Sequence, residues 1–266
     1  MFGVLKERRR SRLREQPLPV EWCALITRNL PFFARLSAPD QKELLSHVQV
    51  FLAEKRFEGC DGLELTDEIR LTIATQACLL LLHRKTDYYP RLLTILVYPS
   101  GFIVDDSRPL GSDIWQEGKE ARLGETGRQM GSLVLAWDAA RRGALDPSDG
   151  KNVVLHEFAH QLDFEDFATD GVPALASRND QRSWAEVMKI EFAALRAADE
   201  TGIPTLLDGY GATNPAEFFA VATEAFFERP LALRQARPRL YSELQRFFRQ
   251  DPELYSSEPT SGATAI

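Results

Sequence analysis

Cysteine is scarce in this sequence and unpaired: Cys23, Cys60 and Cys78 are an odd three with no C-x-x-C spacing, which excludes a disulfide framework and a zinc ribbon. They read as reduced thiols of a cytosolic protein, and the expected location is the cytoplasm. No apolar run is long enough to span a bilayer. The most apolar segment, 69–82, is interrupted by Arg70, Thr72, Thr75 and Gln76 and so reads as a buried helix. Nor does an apolar core follow Lys6, Arg8, Arg9, Arg10, Arg12 and Arg14, as a signal peptide would require. A basic balance is missing too: the net charge of -7 and pI near 5.3 argue against a nucleic-acid binder. The motifs G-x-S-x-G, G-x-x-x-x-G-K-[ST] and G-x-G-x-x-G do not occur, and internal repeats are absent. The chain therefore lacks the hydrolase elbow, phosphate loop and dinucleotide turn that those spacings build.

What is present is ample core material, 44% apolar residues, in a chain of 266 residues that suits one large domain or two small ones. Helical spacing runs through 17–30 and 40–57, with Ser37 ahead of Pro39 as a helix start, and Thr66 and Asp67 open a third helix. The β-branched run at 92–98, bounded by Pro90 and Pro99, predicts a buried strand that 102–104 extends. Residues 105–131 lack periodicity and read as a long loop, either a functional flap or disordered. A strand is expected at 132–138. After the turn residues 146–150, Asn152 is placed to cap the next helix. Further helices are expected at 177–199, from Asn214 to Phe227 with Pro230 ending it, and at 239–249. The expected organisation is a basic flexible tail at 1–16, an N-terminal helical portion at 17–90, a catalytic portion at 91–255 and a disordered tail at 256–266.

One pentapeptide carries more chemical information than the rest: His156-Glu157-Phe158-Ala159-His160, an H-E-x-x-H motif. On a helix, positions i and i+4 share a face, so both imidazoles can meet one zinc ion with Glu157 beside it. A catalytic zinc commonly takes a third protein ligand and keeps one position for water. Asp166 stands ten residues after His156, but Asp163 occupies the place where the short metzincin arrangement requires glycine. Glu217 and Glu224 are the alternatives, both on a strongly apolar helix where an inward carboxylate is costly unless it meets a cation or a donor. Glu217 is the favoured ligand, with Glu224 behind a ligand histidine. Spacing alone leaves Glu217 open, because Asn214-x-x-Glu217 also fits a capping box. Asp163 reads as a helix-end carboxylate, and His47 has no partner motif.

The segment HEFAHQLD at 156–163, together with YGATNPAEFFAVATEAFF at 210–227, resembles the Mlc titration factor A family of bacterial zinc peptidases; the catalytic domain of anthrax lethal factor shares the pattern. The resemblance continues through 95–106, 133–137 and 171–173 and covers most of residues 20–252. It implies an α+β zincin-like metallopeptidase fold with an N-terminal helical portion and a small mixed sheet. It implies one zinc ion per chain held by His156, His160 and Glu217, with Glu157 as general base and Tyr210 as the hydroxyl that stabilises the transition state. A peptide or protein substrate and aminopeptidase-like activity follow from the same resemblance, as does a glucose-responsive transcription repressor as partner. An anti-repressor that binds without cleaving is the alternative. Neither nucleic acid nor membrane is an expected partner. The strand at 133–137 is expected beside the cleft, where it would pair with an extended peptide.

Overall fold

The computed structural model describes residues 2–105, 108–111, 114–116, 119–122, 124–126 and 131–256, with side chains for 3–101 and 131–256. In chain order the elements are α1 (Phe2–Arg14), α2 (Val20–Asn29), α3 (Ala38–Glu54), β1 (Arg56–Gly59), α4 (Asp67–Leu79), β2 (Thr94–Tyr98), β3 (Phe102–Asp105), β4 (Arg108–Gly111), β5 (Ile114–Gln116), β6 (Lys119–Arg122), β7 (Gly124–Thr126), β8 (Ser132–Ala136), α5 (Trp137–Leu145), α6 (Val153–Asp163), α7 (Arg178–Glu200), α8 (Pro215–Glu228), α9 (Pro230–Ala236) and α10 (Pro238–Phe248). The α+β arrangement expected from the sequence is present.

The main sheet has the order β1-β2-β8-β7, with β1, β2 and β8 parallel and β7 antiparallel to β8. Alternation fixes its register: Ile95 and Val97 on β2 lie opposite Leu133 and Leu135 on β8, and all four are fully buried. Helices α3, α4, α6 and α8 contribute the rest of one continuous core. Phe51, Tyr89 and Phe158 link three of its segments, with ring centroids of Phe158 lying 5.7 Å from Phe51 and 4.9 Å from Tyr89.

Helix starts follow side-chain chemistry. Ser37, Thr66, Asn152, Ser177 and Asn214 each accept a backbone N–H of the first turn they precede. Among the described residues no helix is long and apolar enough to cross a membrane.

Several expectations need correction. The basic flexible tail expected at 1–16 is largely helical: residues 2–14 form α1, which packs on α3 with Leu13 against the core and Arg10 in ion pairs. The Arg10 side chain is buried, its guanidinium donating to Glu54 at 2.7 and 2.8 Å and to Asp87 at 2.6 Å, and it lies 4.6 Å above the Tyr88 ring. Hydrophobic periodicity cannot reveal such a contact. The helix expected over 40–57 stops at Glu54, and Arg56 to Gly59 become β1, paired with β2. The sheet therefore crosses the boundary expected near residue 90.

Further along, β3 pairs with β6 in a separate ribbon instead of extending the sheet, and the expected loop at 105–131 contains β4 to β7. The strand expected over 132–138 ends at Ala136, where Trp137 opens α5. β8 is hydrogen-bonded on both sides, to β2 and β7, so it offers no edge to a peptide. Pro230 does not merely end α8: it opens α9. Of the tail expected at 256–266, residues 257–266 lie outside the described residues.

Replacing Arg10 by Met keeps the apolar stem but strands the Glu54 carboxylate. The expected loss is about 2 kcal/mol in urea unfolding, less than a fully buried pair costs because Asp87 is half exposed. Limited proteolysis is expected to cut near α1 sooner in this variant; unchanged stability and cleavage would show that the pair does not hold the helix.

Candidate metal centre

The H-E-x-x-H motif lies on α6, whose first turn Asn152 caps by accepting the N–H groups of Val154 and Leu155, both at 3.1 Å. His156 and His160 project from one side, ring centroids 4.9 Å apart. Opposite them runs α8, almost wholly buried and packed along α6. The packing sets the Glu217 carboxylate between the two imidazoles, its Oε2 3.0 Å from His156 Nε2 and 3.3 Å from His160 Nε2. One donor atom from each of the three residues lies within 4.8 Å of the others. Capping and convergence are compatible at this position: Asn214 caps α8 by accepting the Glu217 N–H at 3.0 Å, and the Glu217 side chain turns to the histidines.

The electrostatics favour a cation there. Burial works against charge on Glu217, yet hydrogen bonds from both histidines hold its carboxyl well below the usual range. Burial likewise opposes a charged His156, but Glu217 and Glu224 raise its proton affinity well above the ordinary imidazole value. Two ligands of a tetrahedral zinc stand about 3.3 Å apart, given bond lengths near 2.0–2.1 Å, and the two Glu217–histidine separations match that spacing. The donor set and its dimensions fit zinc.

Behind the imidazoles, Glu224 Oε1 stands 2.7 Å from His156 Nδ1 while its Oε2 accepts the Asn152 N–H at 2.5 Å. Asn152 thus joins the cap of one helix to a carboxylate of the other, a link the sequence reading did not make. Its side chain also donates to Gln76 at 2.8 Å and to the Gly143 carbonyl at 3.3 Å. Glycine eases the close approach of α5 here, since a Cβ at 143 would stand 3.1 Å from the Asn152 Cα, a tight contact.

Glu157 is buried on α6. Tyr210 sits on the 3-10 turn Gly209–Ala212, more than half exposed, its ring centroid 6.0 Å from that of His156. Asp208 pins that turn by accepting the Tyr210 N–H at 2.9 Å, which also holds the Asp208 carboxyl below its usual range, and it pairs with Lys151 at 3.3 Å. Asp208 was not anticipated, although an Asp two residues before the tyrosine is an Asx-turn signal.

Asp163 and Asp166 do not join the cluster of donors. Asp163 is fully buried at the end of α6, its pKa pushed up to about 6 by burial, and its Oδ2 accepts the Gly171 N–H at 3.0 Å. Gly171 needs its positive φ of 76°, and a Cβ there would lie 2.4 Å from the Pro215 carbonyl, so this loop is clamped against the start of the Glu217 helix. Asp166 accepts the Ala168 N–H within its own turn.

A second convergence, Asp40, Glu43 and His83, is accounted for by hydrogen bonds. His83 Nε2 meets Asp40 at 2.7 Å and Nδ1 meets the Arg249 carbonyl at 3.0 Å, an imidazolium that ties α3 to the end of α10. His47 is buried against the Tyr88 hydroxyl at 2.8 Å, away from the motif.

A family model described as glucose-regulated metallo-peptidase M90 matches residues 5–249. An uncharacterised protein of Synechocystis, slr2042, is 43% identical over 244 residues, 92% of this chain and 89% of its own. Mlc titration factor A of Yersinia pestis and of Yersinia pseudotuberculosis is 33% identical over 227 residues, 84% of this chain and 83% of the relative.

For His83, partial burial lowers proton affinity, but Asp40 and the Arg249 carbonyl outweigh it and raise the pKa above 6.5. The folded state holds the proton more tightly, so the stabilisation is complete below the unfolded value and fades as pH rises through the folded one. The stability gap between wild type and His83→Asn, under about 1 kcal/mol for so exposed a group, is expected to be larger at about pH 5.5 than at about pH 8.5. A gap that widens with pH in thermal unfolding would contradict this.

Proposed function

This chain belongs to the glucose-regulated metallo-peptidase M90 family, and on that premise we propose that it is a zinc-dependent, aminopeptidase-like enzyme acting on peptides. The reading assigns His156, His160 and Glu217 as ligands, Glu157 as general base and Tyr210 as the hydroxyl that stabilises the transition state. The observation that carries it is the meeting of three donors from two helices, at 3.0 and 3.3 Å about one carboxylate oxygen.

A zinc ion held by these residues would supply Lewis acidity, lowering the pKa of water toward about 7 and polarising a carbonyl. The chain's own groups do the rest. Glu157, one residue from a ligand on the same helix, accepts the proton of the attacking water and returns it to the departing amine. Tyr210, at the solvent side of His156, donates its hydroxyl to the carbonyl oxygen as charge gathers there. Glu224 accepts the Nδ1 proton of His156, which fixes the tautomer and turns Nε2 toward the metal.

The test separates metal binding from chemistry. Glu157→Gln is expected to keep stoichiometric zinc while kcat/KM on a panel of blocked and unblocked peptides falls by about 10²–10⁴-fold. His156→Ala is expected to lose the metal. Undiminished turnover by the Glu157→Gln protein would remove that residue as the base.

A second reading is favoured by the name of the Yersinia relatives, Mlc titration factor A. In it the chain sequesters a glucose-responsive transcription repressor by binding alone. The Glu157→Gln protein is expected to capture an Mlc-like repressor in a pull-down as wild type does if this regulation is binding, and absence of capture by both would discard the partner.

A further inference from the structure

Helix α8 carries a third glutamate in line with the two already described. Glu217, Glu224 and Glu228 are separated by seven and four residues, so all three fall on one face. The first lies between the imidazoles and the second backs His156. Glu228 has no part in those contacts, yet it is 3% exposed.

Among the described residues neither of its carboxylate oxygens makes a hydrogen bond of ordinary geometry, although the Asn152 side chain and the Lys151 backbone lie close enough to act on it. It lines a cavity of about 20 Å³ together with Gln76, Gly143, Asn152 and Tyr255, room for a single water. Asn152 is the junction described above, holding Glu224 by its N–H and the start of α6 by its side-chain oxygen.

An unpaired anion is costly in that place. Burial, opposed by the Asn152 side chain and reinforced by the neighbouring charges of Glu224 and Asp149, pushes the Glu228 pKa up to about 9, which favours the neutral acid near neutral pH. As such it has one proton to give and an oxygen to accept, and the groups that face it are the Asn152 side chain and the Lys151 backbone.

We propose that Glu228 is a positioning residue that works as a neutral hydrogen-bonding group: directly, or through one water in the cavity, it holds residues 151–152 and thereby keeps Glu224 seated behind His156. The inference rests on the peptidase reading for the role of His156 as a ligand.

Glu228→Gln keeps a neutral polar group of the same shape, whereas Glu228→Met fills the space without hydrogen bonds. Zinc affinity, read by competition with a chromophoric chelator, is expected to stay within about 2-fold of wild type for Gln and to weaken about 10-fold for Met, the lower end for groups that orient a ligand. The same ratio is expected in kcat/KM. Wild-type affinity in a folded Glu228→Met protein overturns the proposal, and so does a Gln variant as weak as Met. Should Met prevent folding, an infrared difference spectrum between wild type and Glu228→Gln at neutral pH decides: a protonated-carboxyl band supports the proposal and its absence overturns it. If wild type itself binds no zinc in the titration, the peptidase reading falls and takes this inference with it.

Discussion

A carboxylate caught between two imidazoles is the constraint around which this molecule is arranged. Glu217 is largely withdrawn from water, where an unpaired charge would cost several kcal/mol. Its position is tolerable only because two histidine nitrogens face the same oxygen, at 3.0 and 3.3 Å. Those nitrogens belong to α6 and the carboxylate to α8, so the packing of the two helices and the geometry of the site are one requirement. A shift of α8 by one residue would send Glu217 away from the histidines and bring an alanine or a phenylalanine in its place.

The apolar residues around α8 enforce that register. Phe219, Phe226 and Phe227 are buried among Trp184, Tyr241, Phe247 and Phe248 while Phe218 is buried against Phe192, and each such burial contributes about 1.5–3 kcal/mol. The same helix places Glu224, and in our proposal Glu228, along the face turned to α6. Asn152 ties the two helices where they are most polar. At the other end of α6, Asp163 holds the Gly171 loop against Pro215. The cluster of donors is thus clamped at both ends of α6. By contrast, Tyr210 stands on a short turn pinned at its start by Asp208 and is open to solvent, a setting suited to a group that must meet an arriving substrate.

The N-terminal region supports this core from behind. Its helices reach the core through α4, which packs on α6, and α1 is fastened by charge: Arg10 spans Glu54 and Asp87 and stacks on Tyr88. An Arg-rich segment in an acidic chain is here an internal strut as well as a surface. His83 performs a similar office between α3 and the end of α10.

What the sequence determined by itself is what spacing encodes. The pair His156 and His160 needs only a helix, and the capping residues Ser37, Thr66, Asn152, Ser177 and Asn214 mark where helices begin, because both depend on contacts within one turn. The buried strands β2 and β8 were legible for the same reason, each a short β-branched or apolar run between turn residues. The choice among Asp166, Glu217 and Glu224 was not legible from spacing, since it depends on which helix lies across from α6. The α1 helix was missed because ion pairs, unlike apolar stripes, leave no periodicity, and β1 because four half-buried residues carry too weak a pattern beside a helix. Only the tertiary structure decided that β8 is enclosed on both sides and that Asn152, Glu224 and Glu228 are neighbours. Local hydrogen bonds and side-chain period are written along the chain; the partner across a packed interface is fixed by the fit of two surfaces far apart in sequence.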